Sequence, residues 1–169
     1  GENRGMATNV GELSLVKMGK AAQKASRKLA QSPTATRNQA LLNIAEALER
    51  DQQSVLSANQ KDYADAQSSG MDVAMLDRLL LTSERLNAMA QDVRIIAGLV
   101  DPVGETIESK TLNNGLSLEK RRVPLGVIAS IYESRPNVTV DITTLCLKSG
   151  NACILRGGKE SINSNTALA

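Results

Sequence analysis

The chain has 169 residues, which is enough for one domain but not comfortably for two. Its 20 Lys and Arg residues nearly balance 18 Asp and Glu residues, so the net charge gives no argument for a nucleic-acid or membrane partner. The sequence has no run near the roughly 18 apolar residues of a membrane span, and its first residues lack the apolar core of a signal peptide. We therefore expect a cytoplasmic protein.

Missing residue types narrow the possible functions further. The two cysteines, Cys146 and Cys153, are too few for a disulfide framework. Histidine, the commonest general base and metal ligand, is absent, and we expect no metal site. Phe and Trp are absent as well, which leaves an aliphatic core and no aromatic platform for stacking nucleic-acid bases.

The first hundred residues have helical periodicity. Ser32 and Pro33 resemble an N-cap followed by proline at the first helical position, and Thr82 is a second candidate cap. The predicted helices cover residues 13–31, 33–50, 52–66, 73–79 and 82–98. We expect the segment 6–102 to form a helical packing layer.

A hairpin is predicted over residues 103–123. The runs TIESKTL and LSLEKRRV alternate with period two and flank Asn113-Asn114-Gly115. An Asn-Gly pair between alternating runs is the strongest short-range hairpin signal. We expect Lys120-Arg121-Arg122, at the end of the second run, to form a solvated edge; a phosphate-binding role is the alternative.

A strand–helix–strand unit is predicted over residues 124–169. The segments 126–132 and 152–155 have the pattern of buried strands, and 138–148 has that of a helix that ends at Ser149-Gly150. Such a crossover makes the two strands parallel. Another helix is predicted to begin near Glu160 or Ser161.

Polar residues follow both predicted strands. Because ligands bind outside the carboxyl ends of parallel strands, we expect 133–137 and 156–159 to meet in one crevice. Gly157-Gly158 would let a ligand approach the backbone, and the free N–H groups of the next helix would suit an anion. This pattern favours a phosphate-bearing ligand such as a nucleotide; the alternative is an ordinary turn whose charges face water.

Five motifs resemble the γ-glutamyl phosphate reductase family, within the aldehyde dehydrogenase superfamily. The resemblance runs from about Val16 through nearly the whole chain. The motifs are MLDRLLLT, DPVGE, LEKRRVPLGVI, YESRPNVTVD and LCLKSGNACILRGGKES. The resemblance implies NADPH-dependent reduction of L-glutamyl 5-phosphate to L-glutamate 5-semialdehyde, with release of phosphate, in proline biosynthesis.

The resemblance also assigns roles to individual residues. Asn137 matches the asparagine whose amide donates to the oxyanion; alternatively it caps the helix predicted at Val138. Arg156 takes the place of a lysine that contacts the adenosine ribose. Lys159 falls where NAD-using relatives often carry a glutamate, which favours NADPH over NADH, although a shift of one residue would put Glu160 there.

The remaining candidates for ligand binding lie in the segments that follow the two predicted strands. Gly157 and Gly158 belong to the predicted cofactor loop, where Ser161 is a further candidate for phosphate binding. Arg135 is a candidate for binding the γ-phosphate or α-carboxylate of the substrate, with Glu133 beside it. Equally, Glu133 and Arg135 could pair with each other or with neighbouring loops.

The family's nucleophilic cysteine lies later in the chain than this sequence extends. We expect Cys146 and Cys153 to be buried and inert. The overall expectation is an α/β fold with a helical layer, a hairpin and the start of a parallel Rossmann-like sheet. Residues 1–169 would form one partial cofactor-binding domain that is inactive alone. The hairpin resembles the superfamily's oligomerisation arm, which implies a homo-oligomer in the intact enzyme.

Other classes of function stay open at this stage. One is the equivalent region of a bifunctional pyrroline-5-carboxylate synthase. Another is a non-catalytic nucleotide-binding or oligomerising module with the same strand-end site. A purely helical scaffold would leave the polar segments 133–137 and 156–161 without a purpose.

Overall fold

A computed structural model describes the backbone of residues 4–169 and the side chains from residue 14 onward. Five helices come first, followed by a hairpin and then a strand–helix–strand–helix unit. None of the helices described is both long and apolar enough to cross a membrane. The elements are α1 (Arg4–Ala30), α2 (Thr34–Arg50), α3 (Gln52–Ser68), α4 (Val73–Leu79), α5 (Ser83–Gly98), β1 (Thr106–Thr111), β2 (Ser117–Arg121), β3 (Val127–Ile131), α6 (Pro136–Lys148), β4 (Ala152–Arg156), a 3-10 turn (Lys159–Ser161) and α7 (Ile162–Leu168).

The main core lies where α2 packs along α5 and α6 covers them. As predicted, Thr82 caps α5, and its hydroxyl accepts the Arg85 N–H. The predicted Ser32 cap is wrong, because the Ser32 hydroxyl donates to the Lys28 carbonyl at the end of α1. The buried apolar side chains of this core are Leu41, Ala45, Leu48, Val55, Leu81, Leu86, Met89, Ala90, Val93, Ala97 and Val140.

The hairpin projects from the rest of the chain. β1 and β2 are antiparallel, and every residue in both strands is exposed. Gly115 closes the turn with φ +88°, in the left-handed region that glycine adopts without strain. Arg121 pairs with Glu119 at 2.6 Å and Arg122 with Glu105 at 2.7 Å, as expected of a solvated edge.

β3 and β4 are parallel neighbours, so the predicted crossover is confirmed. Ile128 lies opposite Cys153, and Ala129 opposite Ile154. The expectation that β3 is buried on both faces is wrong, since Ile131 keeps 77% of its surface exposed. α1 packs on this strand pair and α6 packs on β4, but within residues 4–169 no third strand adjoins it.

Helix α6 begins at Pro136, earlier than the predicted Val138. Proline suits this first position because its missing N–H would have no partner there and its φ is already helical. Arg135 is therefore the N-cap residue, and Asn137 lies inside the first turn. The alternative in which Asn137 caps the helix is wrong.

A buried ionic cluster fixes the segment that leads into the hairpin. The Asp101 carboxylate accepts hydrogen bonds from Thr34, Arg37 and the Val103 N–H. The Lys148 ammonium, 3% exposed, donates to the Ala97 carbonyl at 2.8 Å. Burial alone would raise the pKa of Asp101, but these hydrogen bonds and the two nearby cations outweigh burial and lower it.

Replacing this carboxylate should destabilise the fold. We expect Asp101→Asn to lower the free energy of unfolding by about 3 kcal/mol, because Arg37 stays buried without its anionic partner. Urea unfolding would measure the loss. The exposed Arg50–Asp51 pair supplies the control, and Asp51→Asn should change the stability far less, because solvent screens an exposed pair.

The same cluster predicts an acid-sensitive stability. Because folding lowers the pKa of Asp101, its stabilising contribution is present at neutral pH. That contribution disappears as the pH falls through the lowered pKa of the folded state. Asp101→Asn should therefore flatten the acid limb of the stability curve, and an unchanged limb would contradict the prediction.

Candidate functional site

The two polar segments meet at one edge of the strand pair, as predicted. The Tyr132 N–H donates to the Arg156 carbonyl at 3.0 Å, which continues the ladder beyond β3. The Ser134 hydroxyl then donates to the Glu160 carboxylate at 3.0 Å. The two strand ends are therefore neighbours, but the expected single crevice is wrong: Arg135 and Asn137 line one cavity and Lys159 lines another.

Close packing within the protein explains both loop glycines. A Cβ on Gly157 would lie 2.1 Å from the Asn165 side-chain nitrogen and 3.2 Å from the Tyr132 ring. A Cβ on Gly158 would lie 2.7 Å from the Ser134 hydroxyl oxygen. The sequence predicts that these glycines let a ligand approach the backbone. The structure shows that neighbouring side chains also pack closely against the two glycines.

The loop carries two exposed cations, Arg156 and Lys159. Among the described residues neither takes part in an ion pair within 4.0 Å. The neighbouring Glu160 is ionised, because its own backbone N–H, the Ser134 hydroxyl and the nearby charge of Lys159 all lower its pKa. The loop therefore carries two exposed cations beside one carboxylate.

The expectation of free N–H groups at the following helix is wrong. The Asp62 carboxylate of α3 accepts the Asn163 N–H at 3.2 Å and the Ser164 N–H at 2.7 Å. Ser161 is fully buried, and its hydroxyl donates to the Gly158 carbonyl at 3.2 Å. Ser161 thus supports the loop from inside, and its contact with a phosphate stays a prediction.

Asn137 and Arg135 lie on a separate cavity of about 320 Å³, between α4, α5 and the start of α6. The Asn137 amide donates to the Asp141 carboxylate at 3.2 Å. Burial raises the pKa of Asp141, Asn137 opposes that rise, and the nearby Asp92 adds to it. The residues around the cavity are Asp77, Arg78, Leu80, Leu81, Arg85, Ala88, Met89, Asp92, Arg135 and Asn137.

Glu133 occupies a smaller cleft beside this cavity, together with Arg135 and Arg78. The side chains of Glu133 and Arg135 form no ion pair within 4.0 Å. The two residues are joined through the backbone, where the Arg135 N–H donates to the Glu133 carbonyl at 2.7 Å. The interpretation in which these two side chains pair with each other is therefore wrong.

The environment of the cysteines does not favour a nucleophile. Cys146 is buried, and loss of solvation with the neighbouring Cys153 raises its pKa to about 11. A thiol with that pKa is almost entirely protonated at neutral pH. Cys153 is only half-buried, contrary to expectation, and its sulfur lies 3.9 Å from the Thr143 hydroxyl.

Sequence reasoning missed three residues that shape the site. Asp62 sits in the middle of a helix, where a lone carboxylate usually indicates a solvated face. Ser134 was passed over within the motif YESRPNVTVD, and Arg78 within MLDRLLLT. Only the structure shows the hydrogen-bond partners of Asp62 and Ser134 and the cavity that Arg78 borders.

The chain has the predicted α/β fold, which consists of a helical layer, a projecting hairpin and a pair of parallel strands. Polar side chains lie where the two parallel strands end. No protein-family model matches the chain. The chain is 58% identical to "Gamma-glutamyl phosphate reductase" of Photorhabdus laumondii over 153 aligned residues. The alignment covers 90% of this chain and 37% of that relative. The chain thus spans little more than a third of its curated relatives.

Solved structures give the same result. The γ-glutamyl phosphate reductase of Thermotoga maritima matches with a TM-score of 0.88 and 42% identity, over 91% of this chain and 37% of that one. The γ-glutamyl phosphate reductase of Saccharomyces cerevisiae matches with a TM-score of 0.86 and 38% identity, and the match covers 90% of this chain and 39% of that one. The resemblance is confirmed: the chain corresponds to the N-terminal portion of γ-glutamyl phosphate reductases.

The packing of Gly157 gives a test of the loop geometry. We expect Gly157→Ala to displace the Asn165 amide and break its hydrogen bonds to Ser161 and Thr139. Two such bonds are worth about 2 kcal/mol of unfolding free energy. Urea unfolding would show the loss, and Gly19→Ala is the matched control, because a Cβ there meets nothing within 4 Å. Equal effects of both substitutions would contradict the packing argument.

Proposed function

We propose that this chain is the cofactor-side portion of a γ-glutamyl phosphate reductase. The intact protein would reduce L-glutamyl 5-phosphate to L-glutamate 5-semialdehyde, with release of phosphate, for proline biosynthesis in the cytoplasm. The observation that carries this proposal is the 58% identity, over 153 residues, to a relative of that name. The 169 residues alone are proposed to be inactive, since the nucleophilic cysteine would lie outside them.

NADPH is the proposed cofactor, and it supplies the hydride that reduces the acyl group. The exposed Arg156 would contact the adenosine ribose, and Lys159 would attract the 2′-phosphate. The support for this choice is that Arg156 and Lys159 are exposed and form no ion pair within 4.0 Å among the described residues.

Asn137 is the proposed donor to the oxyanion. It lines the α4–α5 cavity, and its amide nitrogen has two N–H groups, of which the Asp141 carboxylate accepts one. The second N–H is then available for negative charge that develops on the acyl oxygen. A preorganised donor of this kind is worth roughly 3–4 kcal/mol in comparable sites.

The hairpin is proposed to join copies of the intact enzyme in a homo-oligomer. A two-stranded hairpin is marginally stable by itself in water, yet β1 and β2 expose all their residues. Ile107, Leu116 and Leu118 are each at least half exposed on this arm. Burial of these side chains against a second copy would stabilise both the arm and the assembly.

Cofactor preference provides the first test. We expect Lys159→Glu to weaken NADPH binding by roughly 10- to 100-fold, since one charge-assisted contact to phosphate is replaced by repulsion. NADH affinity should change little. Fluorescence titration of both cofactors would measure this, with Lys24→Glu at an exposed position on α1 as the control of equal charge change. Equal losses for both cofactors would exclude the 2′-phosphate role.

The oxyanion role has its own test. In the intact reductase, Asn137→Ala should lower kcat by about 10²- to 10³-fold and change the NADPH Kd little, because the donor acts in the transition state. Asn43→Ala, at an exposed position on α2, is the matched control. NADPH oxidation with γ-glutamyl phosphate is the assay, in which the isolated chain should show no turnover. An unchanged kcat would reject the assignment.

A further inference from the structure

Charged side chains outside the predicted site join Arg135 around the α4–α5 cavity. Its volume of about 320 Å³ lies within the range of small-molecule sites. Arg78 comes from α4, Arg85 and Asp92 from α5, and Arg135 from the N-cap of α6.

The Arg85 guanidinium is already hydrogen-bonded to groups of the protein itself. Its guanidinium donates to the Asp77 carboxylate at 2.7 Å, and it also donates to the Asp77 carbonyl at 2.5 Å and the Leu80 carbonyl at 2.8 Å. These bonds tie the end of α4 to the start of α5. Arg85 is therefore a structural residue in the cavity wall.

Arg78 and Arg135, unlike Arg85, have guanidinium groups that are not paired with any side chain that the structure describes. Among the described residues, neither forms an ion pair within 4.0 Å or a side-chain hydrogen bond. They border the same cavity and also the adjoining cleft that contains Ser134. The carboxylates on this concave surface do not neutralise them by pairing: Asp77 is bound to Arg85, and neither Asp92 nor Glu133 forms an ion pair within 4.0 Å among the described residues. Two guanidinium groups from separate elements thus share one surface with their donors unused, which is an arrangement that favours an anionic ligand.

We propose that Arg78 binds the anionic substrate together with Arg135, so that the helical layer supplies part of the substrate site. The inference rests on the proposed function and extends it to a residue on α4. A guanidinium offers paired N–H donors that match a carboxylate or a phosphate group. Asn137 borders the same cavity, so an anion held here would place its acyl carbon near the proposed oxyanion donor.

Steady-state kinetics of the intact reductase would test this role. Arg78→Gln should raise the KM for γ-glutamyl phosphate at least 10-fold and leave the KM for NADPH unchanged, while Arg78→Lys should recover part of the loss. Arg50→Gln, an exposed arginine on α2, is the matched control. An unchanged KM for γ-glutamyl phosphate in Arg78→Gln, with a raised one in Arg135→Gln, would overturn the proposal.

Inhibition distinguishes the two anions of the substrate. Loss of inhibition by inorganic phosphate in Arg78→Gln would assign Arg78 to the phosphate, and loss of inhibition by L-glutamate would assign it to the α-carboxylate. Retention of both would overturn the proposal. A wild-type enzyme that binds phosphate and glutamate but never oxidises NADPH would instead reject the proposed function, and urea unfolding of each variant separates misfolding from lost binding.

Discussion

The carboxylate of Asp62, 3% exposed within α3, holds α7 against the helical layer. It accepts four hydrogen bonds, two from Asn163 and two from Ser164, at 2.6–3.2 Å. Asn59, one turn earlier on the same helix, accepts the Leu81 N–H and donates to the Leu79 carbonyl. A single face of α3 therefore fixes both the loop after β4 and the wall of the α4–α5 cavity.

This constraint explains why the two parts of the candidate site stay in register. The cofactor loop follows β4, whereas the cavity belongs to helices that precede the sheet in sequence by many residues. The Ser134–Glu160 hydrogen bond joins them at the strand ends. Internal hydrogen bonds hold some of the charges, since Arg85 donates to Asp77 and Glu160 accepts from Ser134, whereas Arg78 forms no ion pair within 4.0 Å among the described residues.

Local patterns in the sequence predicted the architecture well. The hairpin follows from alternation around Gly115, and the parallel strands follow from a strand–helix–strand order. The start of α6 was misjudged because Pro136 reads equally well as a loop residue or as a first helical residue. The partners of Asp62 lie about a hundred positions away along the chain, and no local period or spacing reveals such a contact.

Tyr132 gives the site an intrinsic optical probe. The chain contains two tyrosines and no tryptophan, so tyrosine emission is observable without interference. The Tyr132 ring faces Gly157, and its hydroxyl lies 2.6 Å from the Thr139 hydroxyl, whereas Tyr63 packs in the separate cluster around Leu79. With Tyr63 replaced by leucine, changes in emission would report on the loop itself, and motions of that loop become visible in the unlabelled protein.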